Sequence, residues 1–155
     1  GSGAPPSRGY AAGALAALAE GSAEAQAAIA AEGGILALTR LLGEGRPDAC
    51  RRAATALAHL ASHSAGHRAE ATRAGAVPLL LRLAADPVAS TQGQAEGAHA
   101  LSCLTWQCAD SQAALVAAQG VPVLVRLVQA GAPQARSHAA VALCNLAEGG
   151  PTQRA

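Results

Sequence analysis

A nine-residue pattern occurs three times along this chain, and the interval between copies limits what the chain can fold into. The copies are Gly33-Gly34-Ile35-Leu36-Ala37-Leu38-Thr39-Arg40-Leu41, Gly75-Ala76-Val77-Pro78-Leu79-Leu80-Leu81-Arg82-Leu83 and Gln119-Gly120-Val121-Pro122-Val123-Leu124-Val125-Arg126-Leu127. Their arginines lie 42 and 44 residues apart. Each copy is followed by a second shared pattern: Ala56-Leu57-Ala58-His59-Leu60, Ala100-Leu101-Ser102-Cys103-Leu104 and Ala142-Leu143-Cys144-Asn145-Leu146. An earlier copy of that second pattern, Ala14-Leu15-Ala16-Ala17-Leu18, places a partial unit ahead of the first full one. A period of this length belongs to repeat architectures, in which each unit buries its apolar face only against its neighbours.

Composition settles what the units are made of. Alanine and leucine dominate the apolar residues, Phe and Met are absent, and Tyr10 and Trp106 are the only aromatics. Alanine and leucine are the strongest helix formers, and strands need the β-branched and aromatic residues that are scarce here. The chain is therefore expected to be all-α, with three helices per unit. A first short helix starts after a polar cap (Ser22, Ser64 or Asp110) and stops at the next glycine pair or Gln-Gly. The second carries Pro78 or Pro122 near its start, where a missing N–H costs nothing. The third is longest, running from near Pro47, Val88 or Pro133 to near Ser62, Gln107 or Glu148. These rules give a tail over 1–7 whose Gly1-Ser2 start reads as a cloning remnant, and a repeat domain over 8–149. The domain divides into a leading third helix (8–21), three units at about 22–63, 64–109 and 110–149, and a stub over 150–155.

The Gly-Ala-Val-Pro-x-Leu-x-x-Leu second helix and the Ala-Leu-x-Asn-Leu-Ala ending, clearest at Ala142 to Ala147, resemble the armadillo repeat. HEAT repeats are a weaker match, having two helices per unit and no glycine turn followed by proline. The resemblance covers nearly the whole chain after Ser7. It implies a right-handed α-solenoid, an armadillo-like superhelix of three-helix repeats, whose third helices line a concave groove. It also implies that the Asn of the third-helix ending bonds the backbone of an extended peptide. Only Asn145 matches that residue; Ala17, His59 and Cys103 take its place elsewhere. The importin-like subset adds a Trp four residues earlier, where this chain has Gly13, Thr55, His99 and Val141, so recognition of classical nuclear signals is not expected.

Helical periodicity identifies the groove-facing positions. With Leu57 and Leu60 turned inward, positions 52, 55, 59 and 62 lie on the opposite side. Translation by the repeat gives a ladder: Tyr10, Gly13, Ala17 and Glu20; Arg52, Thr55, His59 and Ser62; Glu96, His99, Cys103 and Trp106; His138, Val141, Asn145 and Glu148. The expected partner-binding residues are Tyr10, Arg52, Thr55, His59, Glu96, His99, Cys103, Trp106, His138 and Asn145. Both aromatics fall on this ladder, and Trp, Tyr and Arg dominate binding hot spots. Such a surface suits an extended peptide or a helix of another protein. The alternatives are structural: Trp106 as a cover over the seam between units, Tyr10 packed on the first turn, Asn145 bridging local backbone, Arg51 and Arg52 as a solvated face. Arg40, Arg82 and Arg126 recur by repeat position and read as structural, snorkelling over the second helix.

Other chemistries fit poorly. The net charge is +1 and the 11 basic residues, all Arg, form no cluster of the kind nucleic acid requires. No apolar run reaches the ~20 residues of a membrane span. His59, His63 and His67 are spaced for a metal, but Gly66 interrupts the helix and no His-Glu-x-x-His is present. Cys103 and His99 are four apart, yet no orienting group or oxyanion site accompanies them. No catalytic residue, metal or cofactor is expected. Cys50, Cys103, Cys108 and Cys144 read as reduced, mostly buried residues. The expectation is a cytoplasmic or nuclear scaffold for protein partners. Its rivals are a fragment that self-associates through open solenoid ends and, less favoured, a His/Cys metal module.

Overall fold

A computed structural model describes residues 4–44, 46–86 and 90–149, with side chains from residue 11 onward. Among the described residues the chain forms ten α-helices and no strand. The leading third helix is α1 (Ala4–Gly21). The first full unit follows as α2 (Ala23–Ala31), α3 (Gly34–Gly43) and α4 (Pro47–Ser62). The second comprises α5 (Ala65–Arg73), α6 (Ala76–Ala85) and α7 (Thr91–Thr105). The last comprises α8 (Ala109–Ala117), α9 (Gly120–Ala130) and α10 (Pro133–Gly149). The third helices α1, α4, α7 and α10 pack side by side in chain order, and α3, α6 and α9 form a second layer behind them.

Local chemistry fixes most of the boundaries. Ser22 and Ser64 cap α2 and α5, their hydroxyls accepting the N–H groups of Ala25 (2.9 Å) and His67 (3.1 Å). The third unit departs from the expectation: Cys108, not Asp110, is the cap of α8 and makes no side-chain capping bond. Asp110 sits instead in the first turn, where its charge meets the positive end of the helix dipole. Ser90 caps α7, accepting from the N–H of Gly93 at 2.9 Å, so α7 begins at Thr91 rather than near Val88, which lies outside the described residues. It ends at Thr105, two residues short of Gln107. Residues 4–7, expected in a tail, have helical backbone; the expected tail residues 1–3 and the stub 150–155 lie outside the described residues.

The turn between first and second helices demands one residue in the left-handed region. Gly33 (φ 82°) and Gly75 (φ 93°) provide it, while the third unit uses Gln119 (φ 64°). A side chain there costs roughly 1 kcal/mol or more. The turn bends α3 by 75° from α2 and α9 by 86° from α8.

The core is a column of equivalent leucines. Leu38, Leu80 and Leu124 of the second helices are fully buried, as are Leu57 with Leu101 and Leu60 with Leu104 of the third helices. Their counterparts Leu143 and Leu146 in α10 are only partly buried. The same asymmetry appears on α9. Val121, Val125 and Val128 are exposed, whereas the equivalent Ile35 and Val77, Thr39 and Leu81, Leu42 and Ala84 are buried by the following unit. Small residues allow close approach: a Cβ on Gly97 would lie 3.0 Å from the backbone nitrogen of Ala84.

One tie recurs in every unit. Gln26 donates from Nε2 to the carbonyl of Ala19 (2.6 Å), Arg68 from Nη1 to that of Ala61 (2.8 Å), and Gln112 from Nε2 to that of Thr105 (2.8 Å). All three donors are buried, and each reaches back seven residues to a carbonyl that the end of a third helix leaves unpaired. Arg68 does this with a buried Nε that has no hydrogen-bond partner.

Two stability outcomes follow, both measurable by urea denaturation. Gln119→Gly is expected to stabilise by about 1 kcal/mol, because it removes the left-handed penalty. Arg68→Gln, which adopts the tie of the other units, is expected to be neutral or stabilising, whereas Arg68→Ala should cost about 1–3 kcal/mol by orphaning a buried carbonyl. Equal losses for Gln and Ala at position 68 would show that the tie is not what Arg68 supplies.

Candidate functional site

The third-helix face is stitched by two rows of contacts, each joining one third helix to the next. In the first row the middle position of one helix meets the early position of its successor. Gly13 on α1 lies beneath Arg52, where a Cβ would come 3.0 Å from the guanidinium. Thr55 donates to Glu96 Oε2 at 2.6 Å. His99 stacks on His138, with ring centroids 4.5 Å apart and planes tilted by 30°. In the second row the end of one helix meets the later position of the next. Glu20 lies 4.0 Å from His59, and Ser62 Oγ lies 3.6 Å from Cys103 Sγ. Asn145 donates to the Ser102 carbonyl (2.9 Å) and to Thr105 Oγ1 (3.1 Å).

Several of the expected ladder residues are therefore spent on each other. Arg52, Thr55, His59, Glu96, His99, Cys103 and His138 are half-buried. Arg52 also pairs with Asp48 at 3.4 Å, and Arg51 with the same carboxylate at 3.1 Å. Asn145 departs from the expectation of a free backbone clamp: it is buried and its amide N–H groups are committed to α7. Ser102 and Thr105, which hold it, lie one position before Cys103 and Trp106 and so escaped the ladder. The side chain of Tyr10 lies outside the described residues. Trp106 caps α7 with extended backbone (ψ 115°), and Gln107 follows at φ 47°, so the indole leaves the helical register and stays 46% exposed.

The electrostatics centre on α7. His99 is raised above the ordinary imidazole range, first by its hydrogen bond to Cys103, against the opposing effect of burial, with help from the charges of Cys103 and Glu96. Burial pushes the Cys103 thiol up, but hydrogen bonds from His99 and Ser62 and the His99 charge outweigh it and leave it below the usual thiol range. His138 is lowered, first by burial and then by the neighbouring His99 charge, with Glu96 opposing.

Elsewhere, His59 faces Glu20 while the His67 ring contacts the Leu60 carbonyl (2.9 Å), so the sequence spacing of the histidines does not converge. Among the described residues no group of three His, Cys, Asp or Glu side chains is placed to hold a metal ion, and no single helix is long and apolar enough to cross a membrane. None of the four cysteines is in a disulfide. Cys50 is buried, Cys103 and Cys108 are half-buried, and Cys144, expected inside, is exposed on α10. Arg40, Arg82 and Arg126 are exposed; Arg82 and Arg126 line equivalent cavities at successive seams, beside Leu79 and Leu83 or Val123 and Leu127.

Comparison with known proteins fits this architecture. Residues 108–148 match the family described as armadillo/beta-catenin-like repeat. An engineered protein of known crystal structure is 33% identical with a TM-score of 0.85, over 94% of this chain and 58% of that one. A designed armadillo repeat protein is 22% identical (TM-score 0.83), over 94% and 60% of the two chains. Another, solved in complex with the peptide (KR)4, is 23% identical (TM-score 0.83), again over 94% and 60%. The chain thus spans about 60% of the length of these relatives. No curated protein is similar to it at a significant level. With its last unit matching the family repeat and 94% of its length superposing on designed armadillo solenoids, the chain has the armadillo-repeat fold.

Proposed function

We propose that the face formed by α1, α4, α7 and α10 is a concave groove that holds an extended peptide or a helix of another protein, and that the chain works as a non-catalytic cytoplasmic scaffold. The observation that carries this reading is Trp106. It is the one Trp of the chain, and it stands 46% exposed at the end of the third-helix row, where packing would otherwise favour burial. Exposed Trp beside a row of hydrogen-bonding groups is the composition of a binding hot spot. The designed armadillo protein in complex with the peptide (KR)4 supports the idea that this fold accepts a peptide. Four cysteines with no disulfide between them are consistent with a reducing compartment.

The commitment of Asn145 to α7 changes how a peptide would be held. Backbone clamping falls to side chains at the rim, such as Glu20, whose carboxylate is mostly exposed, and the half-buried His59 and Glu96. A second reading, stacking of copies end to end, is favoured by the exposed valines of α9; light scattering across a concentration series distinguishes it from groove binding.

The test uses peptides selected from a displayed random library against the whole chain. A groove binder is expected to change the fluorescence of Trp106, and Trp106→Ala should weaken it about tenfold or more, a hot-spot-sized loss. Arg40→Ala, on the second-helix layer, should leave affinity unchanged. Peptides that bind Trp106→Ala as tightly as the native chain, or that are weakened only by the Arg40 change, would overturn the groove assignment.

A further inference from the structure

Each third helix meets the next through the same rung, and only the last copy of that rung is built from imidazoles. Gly13 lies beneath Arg52 between α1 and α4, and Thr55 donates to Glu96 at 2.6 Å between α4 and α7. Between α7 and α10 the equivalent positions are His99 and His138, whose ring centroids are 4.5 Å apart with planes tilted by 30°. Imidazole is the side chain whose ordinary charge change falls between pH 5 and 8. The three seams therefore share one geometry, and one of them carries two groups that gain charge on mild acidification.

Two neutral imidazoles stack without electrostatic penalty, and so do one neutral ring and one charged ring. Two imidazolium rings at this separation repel, and both histidines are half-buried, where water screens less than it does in bulk. The charged groups that act on the two rings, besides each other, are Glu96 and Cys103 of α7; among the described residues none on α4, α8 or α9 does. One carboxylate offsets one imidazolium, and Glu96 already accepts the Thr55 hydroxyl. The packing around the rung is also light. Beside His138, α10 buries Ala135 and Ala139, which contribute little transfer energy. The other half of α10 is held by Asn145, which donates to the Ser102 carbonyl and to Thr105 Oγ1, a tie that contains no titratable group.

We propose that the His99–His138 stack makes the seam between the second and third units a pH-sensitive joint, closed while at most one ring carries a proton and loosened along the first half of α10 when both do. The joint does not depend on groove binding. The two rings are already unequal: His99 is raised, first by its hydrogen bond to Cys103, and His138 is lowered, first by burial and then by the His99 charge. A raised histidine contributes stability that is complete below its ordinary value of 6.5 and is lost as pH rises through its folded value. A lowered histidine removes stability as pH falls from 6.5 through its folded value. The urea midpoint is therefore expected to pass through a maximum between the two folded values and to fall on the acid side through His138.

The test follows amide hydrogen exchange of the whole chain at pH 7 and pH 5, corrected for the intrinsic pH dependence of exchange. Protection over residues 133–141 is expected to fall several-fold at the lower pH, while residues 142–149 and the matching stretch 47–55 of α4 keep theirs. Unchanged protection over 133–141, or an equal loss along α4 and α10, would overturn the proposal in the native chain alone. Proton NMR titration then separates a coupled pair from two independently buried rings. His138 should titrate below 6.5, and His99→Gln should move it upward. A His138 that titrates identically with and without His99 means that burial alone sets its value, and the joint fails. His138→Gln should remove the acid-side loss of protection; a loss kept at full size in that folded chain refutes the joint as well.

Discussion

Backbone-close packing between consecutive third helices, made possible by alanine and glycine, carries the rest of this structure. Ala12, Ala53, Ala98, Ala135 and Ala139 are buried at or near zero exposure, and Gly97 brings α7 against the backbone of α6. Such residues contribute little transfer energy individually. They let the leucines of each unit reach the next, so the core becomes one column and not three separate clusters. The cost of the arrangement shows at the last unit, where Leu143 and Leu146 are only partly buried and the valines of α9 are exposed.

The same close packing determines what the exposed face can present. Helices this near bring side chains four residues apart on one into reach of the next, and polar residues there satisfy each other before they meet a ligand. Thr55 with Glu96, Ser62 with Cys103 and Asn145 with the end of α7 all follow this rule. What remains for a partner stands beyond the rungs, as Trp106 does, or along the rim, as Glu20 does. Its chemistry is then a property of how neighbouring units are paired, and no single repeat displays it.

The fold was largely legible in the sequence. The arginine interval, the glycine turns at Gly33 and Gly75 and the serine caps at Ser22 and Ser64 are local signals, and the chain obeys them. The misplaced boundaries fall where local signals compete: Asp110 is a good capping residue that lost to Cys108, because the turn through Trp106 and Gln107 starts α8 earlier. The face was legible only as a direction. Periodicity put Asn145 on the third-helix face, but its burial depends on how near α7 comes, and that distance is set by side chains on another helix. The ties from Gln26, Arg68 and Gln112 were hidden for a different reason. Glutamine and arginine share no class in a pattern search, although both can deliver an N–H to a carbonyl.

Those ties also bear on how such a chain can change length. In every unit the donor and its carbonyl are seven residues apart, and the left-handed turn from first to second helix is the same size throughout. The shift from a 42- to a 44-residue interval must therefore be absorbed elsewhere, and it is: five residues separate α6 from α7, against three between α3 and α4. Insertions and deletions are tolerated at that single connector in each unit, whereas one residue gained or lost between a third helix and the first helix after it would put a buried donor out of register with its acceptor. The repeat is elastic at one joint and metrically fixed at the other two.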